Sequence, residues 1–228
     1  MLTFGTTQEE ARKILGKDFS SIETALDLFP ALSHPKKYKA KMALIPYSTT
    51  FLRQRKGSLI IFPGFNRFDG DIFSLQLLNS VFFEKTKPHL SYHNRHFNAL
   101  TFPEHQLWSG TENFFSGTAD LRWYAISKQP KAPYKHISIF SQDAIMEPGR
   151  MRENAFVYTW AAWLHFLQTG EFLWSGFSIW TSDILPDGRR MAIGGWENAS
   201  KPVWALTPTN PDRNLFPKTV PSYQPNIF

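Results

Sequence analysis

From Ala155 to Met191 the chain reads AFVYTWAAWLHFLQTGEFLWSGFSIWTSDILPDGRRM and gathers four of its eight tryptophans. A run this rich in large rings has to be enclosed by the rest of the protein, because no polar face is left to offer to water. Ala155 to Trp160 is apolar or aromatic on both alternating sides, which reads as a strand buried on both faces or as the start of a buried helix. Gly170 interrupts the pattern, and Phe172 to Thr181, rich in β-branched and aromatic residues around Gly176, reads as a strand with a bulge. Pro186-Asp187-Gly188 is a turn signal that delivers Arg189 and Arg190 at the end of the unit. The expectation is a core hairpin with two cations at its mouth; hydrated arginines on a surface turn are the plainer reading.

Upstream, Thr7-Gln8-Glu9-Glu10 has capping-box spacing before Ala11, Ile14 and Leu15, so a helix is expected over 8–15 with Gly16 as its stop. Asp18 to Leu32 suits a second short helix ending near Pro30, and His34 to Lys41 is a basic loop. Met42 to Leu52 and Ser58 to Phe62 read as two strands joined by Arg53-Gln54-Arg55-Lys56-Gly57, a turn with three cations. Phe62-Pro63-Gly64-Phe65 closes the second of these strands. Asp71 to Glu84 spaces Ile72, Leu75, Leu78, Val81 and Phe82 as a helix would. Phe97 to Tyr124 alternates strand-like pieces with turns, and Tyr134 to Phe140 and Val203 to Leu206 read as further strands. Residues 201–228 hold six of the 16 prolines and are expected to extend over the surface or to stay disordered, leaving 1–200 as a single domain.

Composition narrows the chemistry. Lys and Arg outnumber Asp and Glu by 25 to 19, a net charge of +6, so a polyanion is the first partner to consider. The absence of cysteine removes disulfides, thiolate metal sites and a thiol nucleophile together. His93 and His96, in HLSYHNRH, are three apart and would share a helix face, but no third ligand accompanies them; they read as hydrogen-bonded structural histidines, and neither metal nor cofactor is expected. GxGxxG and GKS/T patterns are missing, which sets aside the common nucleotide folds. No apolar run reaches the roughly 20 residues of a membrane span, and the acidic residues of MLTFGTTQEEARK do not fit a signal peptide. A cytoplasmic protein is expected.

Several of these pieces, taken in order, resemble the SOS response-associated peptidase family, whose members act on abasic sites in single-stranded DNA. The family's opening Met-Cys-Gly-Arg-Phe is similar to Met1-Leu2-Thr3-Phe4, and its Trp-Gly-Leu-Ile-Pro-Ser-Trp strand to Ile60 through Phe65. Its Asn-Ala-Arg is similar to Asn98-Ala99-Leu100. Its Pro-Ala-Asp-Gly-Phe-Tyr-Glu-Trp is similar to Ala119-Asp120 with Trp123-Tyr124-Ala125-Ile126, and its Lys-x-Pro-Tyr to Lys131 through Tyr134. Its Phe-Ala-Phe-Ala-Gly-Leu-Trp-Glu is similar to Ala155 through Trp163, its Thr-Ile-Leu-Thr-Thr strand to Ser178 through Ser182, and its His-Asp-Arg-Met-Pro-Val to Gly188 through Ile193. The resemblance implies an α+β fold that is β-rich, with mostly antiparallel sheets forming a barrel-like core and a few peripheral helices.

It also implies a site whose chemistry has been lost. The family uses an amino-terminal cysteine assisted by Asn, Glu and His; the matching positions here are Leu2, Asn98, Ala125 and Gly188, of which only the asparagine is kept. Leucine brings no nucleophile, and alanine and glycine move no proton, so the crosslinking reaction cannot run by the family's route. A free amino terminus forming a Schiff base is a fallback. What the resemblance leaves is a basic groove for single-stranded DNA, with Arg53, Arg55, Lys56, Arg95, Arg122, Arg189 and Arg190 on phosphates, Phe65 and Trp123 stacking on bases, and Asn98 beside them. Two alternatives stay open: an enzyme of altered chemistry drawing on Glu104, His105 or Glu112, and a phage-related structural or interaction protein without catalysis.

Overall fold

The computed structural model describes residues 5–32, 42–78, 81, 100–101, 116–129, 139–146, 149–171, 173–174, 178–184, 188, 190–195, 204–209, 217–218 and 222–223. Its elements, in chain order, are β1 (Thr6–Thr7), α1 (Gln8–Leu15), α2 (Ile22–Leu28), β2 (Leu44–Ile45), α3 (Thr49–Gln54), β3 (Leu59–Pro63), β4 (Arg67–Phe68), β5 (Asp71–Ile72), β6 (Leu100–Thr101), β7 (Trp123–Ser127), α4 (Ile139–Ala144), β8 (Arg150–Met151), α5 (Ala155–Thr169), β9 (Ser178–Ile184), β10 (Arg190–Gly195), β11 (Trp204–Thr209), β12 (Pro217–Lys218) and β13 (Ser222–Tyr223).

The tryptophan-rich run begins as a helix. Asn154 caps α5 by accepting the Val157 N–H, and Gly170 ends it in the left-handed region at φ 74°, its N–H bonded to the Phe166 carbonyl. Every residue from Ala155 to His165 is buried. A helix enclosed on all sides carries no 3.6-residue polar stripe, which is why its first turns also fit a strand; the hairpin reading of this segment is thereby corrected. Trp160 is the hub of the enclosure. Its ring meets Phe29, Phe65 and Phe73 edge-on at centroid distances of 5.1, 6.3 and 5.4 Å, and its Nε1–H donates to the Pro63 carbonyl at 2.8 Å.

Two open sheets flank this helix. One runs β3-β7-β13-β8 and the other β12-β9-β10-β11-β6. Most pairings are antiparallel, with β6 on β11 and β12 on β9 the parallel ones. β9 and β10 pair antiparallel, with a register shift between Arg190 and Ala192. α5 packs on β9 and β10, and through Trp160 it reaches the end of β3. The architecture is α+β, but the sheets do not close into a barrel among the described residues. The proline-rich segment gives β11 and β12 to one sheet and β13 to the other: β12 lies beside β9, and β13 sits between β7 and β8.

Several local expectations hold. Thr7 and Glu10 form the reciprocal capping box of α1, which Gly16 ends at φ 59°, and α2 lies where a second helix was expected. β3 lies where the strand Ser58 to Phe62 was expected, but its partner is β7, from Leu59 with Ser127 to Pro63 with Trp123, and all ten residues are buried.

Others are corrected. Met42 to Leu52 is not a strand, because Ser48 accepts the Phe51 N–H and starts α3 after the short β2. The basic segment is therefore the end of a helix and a turn at Gly57, φ 76°, leading into β3. Within 71–84, β5 pairs back to β4 and helical residues are seen at 75–78 and 81. Ile139 and Phe140 belong to a helix, α4, in which Ile139 packs with Trp180 and Ala192. His34 to Lys41 and residues 134–138 lie outside the described residues. No described helix is long and apolar enough to cross a membrane.

Replacing Trp160 by Phe keeps most of the packing but leaves the Pro63 carbonyl unpaired in the core. We expect a loss of about 2–4 kcal/mol in unfolding free energy, read as a lower urea midpoint at unchanged slope.

Candidate functional site

The start of α5 and the start of β7 meet in a cluster of charges and phenols. The turn before β7 is tight: the Arg122 N–H donates to the Asp120 carbonyl at 2.9 Å, and the Asp120 N–H donates to Tyr124 Oη at 2.9 Å. Gly64 closes against it, donating its N–H to the Arg122 carbonyl at 2.8 Å. A Cβ at Gly64 would stand 2.4 Å from both the Asp120 oxygen and Tyr124 Cε2, so any side chain there would push the turn off β3.

That turn aims Arg122 at α5. Its guanidinium lies 4.4 Å from the centre of the Tyr124 ring, and Nη2 donates to the two oxygens of Glu153 at 3.2 and 3.3 Å. Asp120 Oδ2 is 3.7 Å from Nε. Glu153 is buried and tied down through its backbone, its N–H donating to Tyr158 Oη at 3.2 Å and its carbonyl accepting the Ser182 N–H at 2.8 Å. One residue on, Asn154 donates to the Thr118 carbonyl, and Asp183 accepts the Ala155 N–H at 2.6 Å.

Burial sets the protonation of this cluster. It pushes the Tyr124 phenol up to about 12, with Arg122 pulling the other way, and it raises Tyr47 and Tyr158 as well. The three phenols are hydrogen-bonding groups, not nucleophiles, at neutral pH. Burial also raises the Asp183 carboxyl, against the N–H groups that favour its charge.

The cluster continues onto α3. Tyr47, whose phenol is close enough to feel the charges of Arg122 and Glu153, stacks on Phe51 with centroids 5.3 Å apart and planes at 20°. The Arg55 guanidinium lies 5.9 Å from the centre of the partly exposed Phe51 ring. Arg53 and Lys56 are exposed on the same turn. Cations and a partly exposed ring thus share the end of α3.

The expected site residues divide sharply. Arg53, Arg55 and Lys56 share the end of α3 and the turn after it, whereas Arg122 stands before β7 beside Glu153 and Tyr124. Phe65 and Trp123, the expected stacking rings, are 0% and 2% exposed and present no face to a base. Phe65 packs on Trp160; Trp123 stacks on Phe19 at 5.8 Å and donates its Nε1–H to the Met42 carbonyl. Ala125 is buried in the middle of β7 opposite Ile61, whereas Gly188 is exposed beside the other sheet at φ 83°. Arg190 is half-buried at the start of β10, and burial lowers its guanidinium. Leu2, Arg95, Asn98 and Arg189 lie outside the described residues, as do Glu104, His105, Glu112, His93 and His96.

The sequence reading missed Phe51, Tyr47, Tyr124 and Glu153. The spacing of Phe51 and Arg55 was a usable signal, but only with 49–54 read as a helix. Among the described residues no group of three His, Cys, Asp or Glu is placed to hold a metal ion. No protein-family model, curated protein or solved structure matches this chain.

A second ionic cluster sits near the other end of α5. His165 is buried with Nε2 3.7 Å from Glu171, which pairs with Lys17, while Lys128 and Asp18 pair at 2.7 Å. Burial and then Lys128 lower the His165 pKa, against Asp18 and Glu171. The folded protein therefore takes up this proton at lower pH than the unfolded chain. The stability from a neutral His165 is full above about pH 6.5 and is lost as the pH falls toward the folded value. Unfolding free energies measured from pH 7 to 5 should decline, and His165→Gln should flatten the part of that slope due to this residue.

Proposed function

We propose that this protein binds single-stranded nucleic acid, DNA with abasic lesions included, on the face where α3 ends, and that it does so without forming a covalent bond. The observation that carries the reading is the convergence of Arg53, Arg55 and Lys56 on one turn beside the partly exposed Phe51 ring. Cations that track a phosphate backbone next to a ring that takes a base are the minimum for sequence-tolerant single-strand binding. The net charge of +6 adds long-range attraction for a polyanion.

The non-covalent part of the reading rests on the side chains present. The chain has no cysteine. Ala125, at the position matched to the family's glutamate, is enclosed in β7 and offers no proton. The high phenol pKa of Tyr124 leaves it a poor nucleophile at neutral pH. A cytoplasmic location goes with this reading.

Fluorescence anisotropy with an oligothymidylate over a salt series tests it. Binding should weaken linearly in log–log form, and Arg53→Ala/Lys56→Ala should lower the slope by about 1 to 1.5, two phosphate contacts' worth on a single strand. Phe51→Ala should weaken binding by about 1–3 kcal/mol at unchanged slope. Abasic oligonucleotide should run free of protein on a denaturing gel. Absence of binding at low salt removes the proposal, and a covalent band removes its non-covalent part.

A further inference from the structure

The nitrogens of Arg122 are used unequally. Nη2 is committed to Glu153, a buried carboxylate fixed through its own backbone, and the Tyr124 ring holds the guanidinium at 4.4 Å. Nε is shut off from solvent and makes no hydrogen bond. The Asp120 carboxylate stands beside it, its Oδ2 at 3.7 Å and so beyond hydrogen-bonding distance. Asp120 is also 84% exposed at its side chain, so water solvates it fully and little fixes it in place. Glu153 and Tyr124 have thus pre-set the guanidinium, leaving one strong donor unused beneath a loosely placed anion.

We propose that Arg122 is a phosphate seat and that Asp120 is a built-in competitor, standing by the Nε–H until a phosphate oxygen replaces it. The inference rests on the nucleic-acid reading of this face and names the contact that reading lacks. Carboxylate and phosphate oxygens suit the same guanidinium edge, so the exchange swaps one anion for another and leaves the charge balance around Arg122 nearly unchanged. The incoming oxygen gains a hydrogen bond that Asp120 does not make, and Asp120 turns into water at little cost. The exposed Asp120 side chain moves aside to uncover Nε, while Glu153 keeps Nη2 throughout. The recognised chemistry is a phosphate group, from a phosphodiester backbone or from the free anion.

The full chain, labelled with nitrogen-15 and with the Arg122 Nε–H signal assigned through Arg122→Lys, is titrated separately with inorganic phosphate and with oligothymidylate. Wild type is compared with Asp120→Asn and with Asp27→Asn, which removes the same charge from an exposed position on α2. Asp120→Asn should tighten oligothymidylate binding about two- to fivefold beyond Asp27→Asn, and steepen the salt slope by about 0.7. The Nε–H signal should move with either ligand, and further in Asp120→Asn. Oligonucleotide binding with a motionless Nε–H, or with Asp120→Asn no tighter than Asp27→Asn, overturns the seat and leaves the function proposed above standing. A signal that moves with inorganic phosphate while oligothymidylate fails to bind upholds the seat and removes the nucleic-acid reading. Failure of both ligands to bind overturns both.

Discussion

The aromatic packing around Trp160 is what the remainder of the molecule depends on. Phe29, Phe65 and Phe73 come from three separate stretches of chain and meet one ring at steep angles. Edge-to-face contacts have a preferred geometry, so this hub fixes how α5 is rotated and does more than bury it. The indole N–H adds a directional tether to the Pro63 carbonyl, at the point where β3 ends and a proline has no N–H to continue the ladder. With that rotation fixed, Glu153 and Asn154 must enter the helix facing the turn before β7.

The polar cluster is thus a by-product of core packing at one end and of close backbone approach at the other. Gly64 lets the Asp120–Tyr124 turn lie against β3, and that contact points Arg122 across the gap to Glu153. A half-buried ion pair of this kind contributes little net stability, since desolvation offsets most of the attraction. Its effect is positional: the guanidinium is held flat on Tyr124 with one edge already occupied. The carboxylate of Asp183 also lies at the positive end of the α5 dipole, which favours its charge while burial opposes it.

Features with a local cause could be read from the sequence. The Thr7–Glu10 box, the stops at Gly16 and Gly170, and the β3 strand each depend on a few adjacent residues. Burial of 155–165 was also legible, but its helical form was not, since a segment enclosed on all sides has no period to detect. Phe65 and Trp123 were placed against bases by the resemblance, yet a short motif does not say which side of the backbone faces the core. Phe51 was hidden for the opposite reason: Ser48 as a helix cap turns 49–54 from strand to helix and brings Arg55 over the ring. The sheet order was beyond reach because β12 and β13 find partners far back in the chain.

The insertion of β13 between β7 and β8 has a consequence for biosynthesis. Ser222 pairs with Ile126 on one side and Met151 on the other, so β7 and β8 leave the ribosome long before the strand that joins them exists. During that interval each presents an unfilled edge able to recruit a strand from a neighbouring nascent chain. Contacts so distant in sequence also slow the final closure. Yield in the cell should therefore be governed by how well holding chaperones guard that gap until residue 223 has been delivered.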